Sequence, residues 1–376
     1  AQPAGSVRST PIDWNTFPGG EGFEYGGEVA LDGAGDIFVT GISYDTWGDP
    51  IRDYTPNSGD GSRSDAFVAK LDSQGHLLWN TFLGGDDMDS GARLGVDENG
   101  SVFVTGTSIH TWGSPIRPLS IEGYAFDIFV AKIDRDGNLV WNTFLGGNGT
   151  DEYGRIATDS DGYLYATGSS DTVWGCDTTP CTTRPFVGGD EPIEMDGFVA
   201  KLDPDGNLIW NTFLGGEAND IGGAISISPT GDLYVAGLSR DGWGCAADDC
   251  TLRAFTGDSD GYLAMLDTDG GLVWNTFLGG AGSDQAFSVL VSSDGQIAVS
   301  GSSDEEWACM DARCTLRPYS GEDDAFVALL APNGVLRWNT FLGGAAADYS
   351  TGLADDTHAR LYVTGTSHDT WGEPDR

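Results

Sequence analysis

The sequence predicts an all-β chain that folds as a β-propeller of six blades, each made of four antiparallel strands. Three observations carry this prediction: a heptapeptide that occurs six times, two tryptophans per repeat at a constant separation of 33 residues, and turn residues about every ten positions. Repetition at a fixed period indicates one structural unit copied around an axis or along a solenoid. We therefore interpret residues 1–376 as a single domain of repeated blades.

The recurring heptapeptide is Trp-Asn-Thr-Phe-Leu-Gly-Gly, which first occurs at 14–20 with proline in place of leucine. A second tryptophan follows each copy, and together these pairs account for all twelve tryptophans of the chain. The pairs are Trp14/Trp47, Trp79/Trp112, Trp141/Trp174, Trp210/Trp243, Trp274/Trp307 and Trp338/Trp371. The constant offset indicates that both tryptophans belong to the same repeated unit.

The second repeat shows how four strands follow from the residues. Residues 92–96 alternate weakly and are predicted as strand a, and residues 101–107, rich in β-branched and aromatic side chains, as strand b. Strand c is predicted at 127–133 and strand d at 138–144, with Asn99-Gly100 forming the first of the hairpin turns. Four antiparallel strands joined by hairpins are typical of a propeller blade, whereas the coils of a parallel β-helix, the main rival, are shorter.

The closure of the last blade is the open question of this fold. The blades are predicted to span about 18–79, 80–141, 142–210, 211–274, 275–338, and 339–376 together with 1–17. An N-terminal strand d at 12–17 would join C-terminal strands a and b, while strand c is missing or supplied otherwise. A degenerate N-terminal strand, a longer chain and another subunit are the three possible sources of that strand. A seven-bladed propeller, of which this chain is a part, is the alternative fold.

The segment from Asp65 to Gly85 reads Asp-x-Phe-Val-Ala-Lys-Leu-Asp-x-x-Gly-x-Leu-x-Trp-x-Thr-x-Leu-Gly-Gly. It resembles the SBBP-type β-propeller repeat of secreted bacterial and archaeal proteins. The resemblance covers nearly the whole chain, with five near-complete matches. It implies a secreted or surface-located propeller and supplies no catalytic residues. The family name implies seven blades, whereas this chain holds material for six.

The chain is strongly acidic, with 58 acidic against 18 basic residues and a formal net charge of −40. This charge excludes nucleic acid as a partner, because phosphate binding requires the opposite sign. No segment has the length and apolar continuity of a transmembrane helix, so we expect no membrane insertion. Aspartate-rich, lysine-poor surfaces stay hydrated in concentrated salt, which indicates a halophilic or marine source. An acidic exported protein from a GC-rich genome is the alternative.

The six cysteines fall in three Cys-x4-Cys pairs, a pattern that predicts local disulfides in an oxidising compartment. They are Cys176/Cys181, Cys245/Cys250 and Cys309/Cys314. Zinc is the rival interpretation, but each pair offers two ligands and no histidine lies nearby. Glycosylation sequons at Asn99 and Asn148, together with small residues that fit a processed terminus, also favour export. We therefore expect an extracellular or cell-surface protein.

The loop between strands b and c carries the length variation between repeats, and loops usually carry function. Each of these loops contains the second tryptophan of its repeat and an arginine five or ten residues further on. The two side chains form either a loop-shaping cation–π pair or a platform for a ligand. The platform residues are Trp47, Trp112, Trp174, Trp243, Trp307, Trp371, Arg52, Arg117, Arg184, Arg253 and Arg317.

An acidic residue lies ten positions after each strand-d tryptophan, near the start of strand a. Six such carboxylates at the channel mouth repel one another unless they bind a cation or accept hydrogen bonds from turn N–H groups. No cofactor is required by the sequence, and Ca²⁺ is the cation considered for these oxygen ligands. The residues are Glu24, Asp89, Asp151, Asp220, Asp284 and Asp348.

The sequence contains no recognisable catalytic motif: its four histidines are scattered, and neither a nucleophile elbow nor a zinc-binding His-Glu-x-x-His occurs. We predict a non-enzymatic extracellular structural or scaffold protein that self-associates by strand exchange at the incomplete blade, as a surface or filament subunit. The alternative is a binding or adhesion module whose Trp/Arg loops and acidic rim take a glycan, a cation or a surface protein. Because the repeats vary little, no blade is expected to carry a special role.

Overall fold

The computed structural model describes residues 14–16, 18–55, 63–97, 100–121, 123, 125–176, 181–188, 194–245, 250–307, 314–356 and 360–372. Within these ranges all regular secondary structure is β-strand, in twenty-two strands. A membrane-crossing helix, which would have to be long and apolar, is therefore absent from this part of the chain.

Five four-stranded sheets, here called blades 1 to 5, follow one another along the chain. Blade 1 consists of β1 (Glu24–Leu31), β2 (Ile37–Ser43), β3 (Asp65–Leu71) and β4 (Leu77–Leu83). Blade 2 consists of β5 (Asp89–Val96), β6 (Val102–Ser108), β7 (Asp127–Ile133) and β8 (Leu139–Leu145). Blade 3 consists of β9 (Asp151–Thr158), β10 (Leu164–Ser170), β11 (Asp196–Leu202) and β12 (Leu208–Leu214).

The remaining strands complete the series. Blade 4 consists of β13 (Asp220–Ile227), β14 (Leu233–Ser239), β15 (Asp260–Leu266) and β16 (Leu272–Leu278). Blade 5 consists of β17 (Asp284–Val291), β18 (Ile297–Ser303), β19 (Asp324–Leu330) and β20 (Leu336–Leu342). A sixth sheet, blade 6, has two strands, β21 (Asp348–Asp355) and β22 (Leu361–Ser367). All pairings are antiparallel and follow chain order.

The blades pack face to face in sequence order, and the first strand of each blade contacts the first strand of the next. The strand-a elements β1, β5, β9, β13, β17 and β21 therefore lie innermost, and the strand-d elements lie outermost. Between blades 1 and 2, Phe38 and Val68 of blade 1 share a core with Val104 and Phe129 of blade 2. Full burial of a side chain of this size contributes about 1.5–3 kcal/mol, and comparable clusters fill the three following interfaces.

The structure confirms the all-β propeller of repeated four-stranded antiparallel blades. Strand c at 127–133 lies where the sequence predicts it, and the other strands of that repeat differ by one to three residues at an end. Of the predicted N-terminal strand d at 12–17, residues 14–16 are described and are not in a β-strand, and residues 12, 13 and 17 lie outside the described residues. In the described part of the chain, blade 6 accordingly stays a two-stranded sheet.

Candidate functional site

The strand-d tryptophans of blades 1 to 4 each contact a glycine in the c–d turn of the next blade. Trp141 of β8 packs against Gly206 in the c–d turn of blade 3, and its Nε1 donates a hydrogen bond to the carbonyl of Pro204 (3.2 Å). Trp14 contacts Gly75 of blade 1 in the same way, although no strand surrounds it. The heptapeptide is thus an interblade contact, which explains its constancy across the repeats.

The loop tryptophans, which the sequence offers as a ligand platform, lie inside the blades. Trp47 is 6 % exposed and makes edge-to-face contacts with Phe67 of strand c and Phe82 of strand d. The same arrangement is found at Trp112, Trp174, Trp243 and Trp307. Trp371 of blade 6 is 36 % exposed, because no described strand c or d covers it. Because the other five rings are buried inside the blades, they favour a role in packing rather than in contact with a ligand.

The loop arginines join each blade to the next. Arg184 of blade 3 donates hydrogen bonds from Nη1 to the carbonyl of Phe213 and from Nη2 to that of Gly215, both 2.7 Å long. Its guanidinium also lies over the ring of Trp243 in blade 4, with Cζ 5.5 Å from the ring centroid. The pairs are Arg52/Trp112, Arg117/Trp174, Arg184/Trp243, Arg253/Trp307 and Arg317/Trp371. The sequence predicted a cation–π pair within one loop, whereas the structure forms it between neighbouring blades.

The six acidic residues at the start of strand a each accept a hydrogen bond from the second glycine of the preceding Gly-Gly. At Asp220 the donor is the Gly216 N–H, 2.8 Å from Oδ2, while the Trp243 indole N–H donates to Oδ1 at 3.1 Å. The glycine N–H bond has an equivalent at the other five acids, whereas the indole N–H groups of Trp47, Trp112, Trp174 and Trp307 are not hydrogen-bonded within the described structure. Five of the acids are 0–1 % exposed, and Glu24 is partly exposed. Turn bonding, one of the two interpretations of the sequence, is therefore present at every copy.

A second buried aspartate, at the start of strand c, lies beside the strand-a aspartate of the next blade. A Cβ built on Gly215 would come closer than 3.0 Å to carboxylate oxygens of both Asp196 and Asp220, so only glycine fits between them. The pairs are Asp65/Asp89, Asp127/Asp151, Asp196/Asp220, Asp260/Asp284 and Asp324/Asp348. The sequence shows the constant spacing of the strand-c aspartates, but not that their partners belong to another blade.

Burial shifts the ionisation of these paired carboxyls. It raises the pKa of Asp196 to about 6, against the opposing effects of the Val187 N–H and the Arg184 charge. It raises the pKa of Asp220 to about 8, and the charges of Asp241 and Asp196 add to that rise. Because both carboxyls are shielded from water, their protonation acts on the stability of the interface between the blades.

The described residues contain no group of three or more His, Cys, Asp or Glu side chains arranged to hold a metal ion. The six acids of the expected Ca²⁺ ring lie at separate blade interfaces, each next to its own Gly-Gly turn. Cation binding at these acids stays a prediction.

The cysteine pairs form local crosslinks in the b–c loops. Cys176–Cys181 and Cys245–Cys250 are disulfides, as predicted. Cys314 is also disulfide-bonded, and Cys309 lies outside the described residues. Of the two sequon residues, Asn148 is exposed in the turn before β9, while Asn99 lies outside the described residues.

Strand a breaks the repeat on the channel axis, contrary to the expectation that no blade is special. Each strand a has a β-bulge near its middle, where one or two of its residues have no partner in the ladder. The residues just after the bulge in blades 2 and 3 are Arg93 and Arg155, whereas blades 4 and 5 have Ala224 and Ser288 there. The two arginines can be read from the sequence of strand a. The weak hydrophobic alternation of this strand, however, does not indicate that they have a function.

The two ends of the blade series expose surfaces that are buried at every interior interface. Val29 of blade 1 is 63 % exposed, whereas its counterpart Leu94 in blade 2 is 7 % exposed. At the other end, Tyr362 of β22 is 50 % exposed, whereas its counterpart Phe38 in β2 is fully buried against blade 2. No described residue pairs with the free edge of β22.

A groove of about 590 Å³ marks the open face of blade 1. Its walls include Trp14, Val29, Ile37, Val39 and Leu71. In the interior blades the corresponding apolar residues are covered by the preceding blade. The groove is therefore the vacant half of a blade interface.

These features define a protein of β-propeller-like repeats, with five complete blades and a two-stranded sixth. No family model matches the chain. The regulatory protein FlaEY of Caulobacter vibrioides is 32% identical over 221 residues, which make up 57% of this chain and 20% of that protein. An uncharacterized WD repeat-containing protein, L264 of Acanthamoeba polyphaga mimivirus, is 22% identical over 366 residues, 77% of this chain and 26% of that protein. The chain thus spans about a fifth to a quarter of these relatives.

Solved structures with similar overall folds share little sequence with the chain. A gluconolactonase of Xanthomonas campestris matches with a TM-score of 0.36 and 13% identity, over 91% of this chain and 95% of that one. The PQQ domain of a pyranose dehydrogenase from Coprinopsis cinerea matches with a TM-score of 0.38 and 11% identity, over 90% of both chains. Similarity at this level says nothing about an activity of this chain.

Proposed function

We propose that the chain is a non-enzymatic extracellular scaffold protein of the SBBP-type repeat class, which assembles head to tail through its incomplete blade. One observation carries the proposal: the exposed faces of blades 1 and 6 are the two halves of the interface that the chain itself forms between its interior blades. The face of blade 1 offers Val29 and the groove beside it, and the face of blade 6 offers Tyr362.

A second copy of the chain is the occupant that fits these faces. Apolar side chains such as Val29 and Tyr362 gain free energy when another blade covers them. The blade that covers such a face inside the chain is always a copy of the same repeat. Because the two faces differ, the contact is heterologous and generates an open chain of subunits or a large ring.

The free edge of β22 adds backbone hydrogen bonds of defined direction to this contact. An unpaired edge presents backbone N–H and C=O groups that a strand from another molecule can pair with. Within the described residues β22 has β21 on one side and no strand on the other. Strand addition at this edge would supply the missing strand c of blade 6.

Two further observations support an extracellular location. Disulfides at Cys176–Cys181 and Cys245–Cys250 persist in oxidising compartments. The net charge of −40 keeps an exported chain hydrated, and salt screens the repulsion between copies.

Sedimentation velocity over a range of protein concentrations tests the proposal. Wild-type protein should show species that grow with concentration, and Val29→Glu should stay monomeric, because a carboxylate cannot be buried in the apolar contact. Val335→Glu is the matched control, since Val335 is 53 % exposed before β20, away from both end faces. A wild-type chain that stays monomeric at every concentration would refute the proposal.

The alternative function is an extracellular binding or adhesion module for a glycan, a cation or a protein. The exposed Trp371 and the loops around it are the part of the Trp/Arg surface that supports this alternative. Glycan-array binding by the wild-type protein, lost in Trp371→Ala, would favour the module over the scaffold.

A further inference from the structure

The channel side of blades 2 to 5 encloses a cavity of about 600 Å³ that the scaffold function does not use. Strand a of four consecutive blades contributes to its wall. The lining includes the aromatic side chains of Phe126, Tyr153 and Phe287 and the guanidinium groups of Arg93 and Arg155. A concave, mostly apolar pocket with a few charged groups is the usual form of a small-molecule site.

Tyr153 holds an unusual backbone conformation at this cavity. Its φ of 64° makes it the one non-glycine residue with a positive φ among those the structure describes. A positive φ is unfavourable for a bulky side chain, and such strain is concentrated at functional sites. The β-bulge of β9 holds Tyr153 in this conformation, 55 % exposed on the cavity wall.

Arg155 is the charged residue of the cavity whose guanidinium is not hydrogen-bonded to any described residue, with Glu28 as its electrostatic neighbour. No hydrogen bond or ion pair to its guanidinium is present in the described part of the structure, although the side chain is largely buried. Burial is the main reason why the pKa of Arg155 falls to about 10. The positive charge of Arg93 also lowers this pKa, and the negative charge of Glu28 raises it by a smaller amount. Glu28 acts on this guanidinium electrostatically, and Glu152 lies in the same cavity lining as Arg93 and Arg155.

The carboxylates near Arg155 interact with other groups. Glu28 accepts a hydrogen bond from the backbone N–H of Leu94 (2.9 Å to Oε2). Burial raises the pKa of the Tyr153 hydroxyl, and the charge of Glu152, which acts on Tyr153, raises it further. Neither is hydrogen-bonded to the Arg155 guanidinium in the described structure, so the guanidinium is available to an outside anion.

We propose that this cavity binds a small organic anion, whose carboxylate or phosphate group pairs with the Arg155 guanidinium and whose apolar body lies against Tyr153 and Phe287. A guanidinium donates two parallel hydrogen bonds to either kind of oxyanion. The aromatic walls supply the contact area for an apolar body. The acidic surface of the protein repels anions in general, so binding depends on this local pair of arginines.

Isothermal titration calorimetry with sodium benzoate and with phenyl phosphate tests the site at pH 7, with sodium chloride as the ionic-strength control. Wild-type protein should bind at least one of the two with one site per chain, and should not bind uncharged benzamide. Benzoate binding alone assigns the carboxylate class, and phenyl phosphate binding alone assigns the phosphate class.

Arg155→Gln should weaken binding at least about tenfold, because it removes the charged hydrogen bonds. Arg337→Gln removes the same charge from an exposed position on β20 and should leave binding unchanged. Tyr153→Gly should weaken binding while melting no lower than wild type, since glycine relieves the positive φ, and it serves as the test if Arg155→Gln fails to fold. Absence of binding by folded wild-type protein, or equal binding by a folded Arg155→Gln or Tyr153→Gly variant, would overturn the proposal.

Discussion

Asp220 of blade 4 lies beside Asp196 of blade 3, and the two carboxylates are separated by a glycine that no larger residue could replace. Both are fully buried, and Arg184 supplies the nearby positive charge. This contact, repeated along the chain, couples strand c of one blade to strand a of the next. Its energetics lead to the first three predictions below.

Acidification should stabilise the protein. The pKa values of Asp196 and Asp220 are about 6 and about 8 in the folded protein, against 3.8 for an ordinary aspartate. As the pH falls from about 9 towards 4, the folded state binds protons that the unfolded state does not, so the free energy of unfolding rises. Thermal melting between pH 5 and pH 9 should give a higher Tm at the acidic end.

The variant Asp220→Asn distinguishes the effect of the buried carboxyl pair from the general effect of removing one negative charge. The variant should melt higher than wild type at pH 9, and its advantage should shrink at pH 5, because the neutral amide needs no proton. Asp205→Asn, in an exposed turn of the same chain, removes the same charge and should lack this pH-dependent gain. An identical pH profile for Asp220→Asn and wild type would contradict the paired-carboxylate interpretation.

Arg184→Met should lower the free energy of unfolding by about 3 kcal/mol, since it removes two hydrogen bonds to carbonyls and the nearest positive charge to two buried carboxyls. Arg337→Met at an exposed position of β20 should cost about 0.5 kcal/mol or less. Urea denaturation measures both values. Equal effects of the two substitutions would show that the interblade arginine contributes nothing.

Gly206→Ala should be markedly more destabilising than Gly231→Ala. Both glycines have a φ near 90°, so alanine is strained equally at either position. A Cβ at Gly206 would lie 2.7 Å from Ile116 Cδ1 and 2.8 Å from the Trp141 ring, both of blade 2, whereas at Gly231 the nearest atom is 3.4 Å away. The difference between the two variants in urea denaturation, about 1–3 kcal/mol from overpacking, measures the docking of the strand-d tryptophan. Similar losses of stability at both positions would show that the contact between Trp141 and Gly206 contributes nothing measurable.

Removal of a b–c loop disulfide should cost about 2 kcal/mol, because Cys245–Cys250 closes only a short loop. The double variant Cys245→Ala/Cys250→Ala should show this loss in urea denaturation under non-reducing conditions. A reductant should then lower the stability of the double variant less than that of wild type, because one crosslink is already gone. Unchanged stability in the variant would mean that the crosslink does not restrain the loop in the unfolded chain.

The repeat, the strand order and the two cysteine crosslinks that the structure describes follow from the sequence, because each depends on residues close together in the chain. The interblade contacts do not. Arg184 and Trp243 are on different blades, and Asp196 meets Asp220 only after blade 4 packs on blade 3. The channel site was missed for a related reason, since Arg93 and Arg155 approach one another only in the folded array.

The most direct test of the scaffold function is a mixing experiment with two end variants, Val29→Glu and Tyr362→Glu, followed by sedimentation velocity. Each variant has one damaged face and one intact face, so each should be monomeric alone. Mixed in equal amounts they should form dimers and stop there, because only one intact pair of faces remains between them. Polymerisation of either variant alone, or a mixture that stays monomeric while wild type assembles, would contradict head-to-tail association of blade 6 with blade 1.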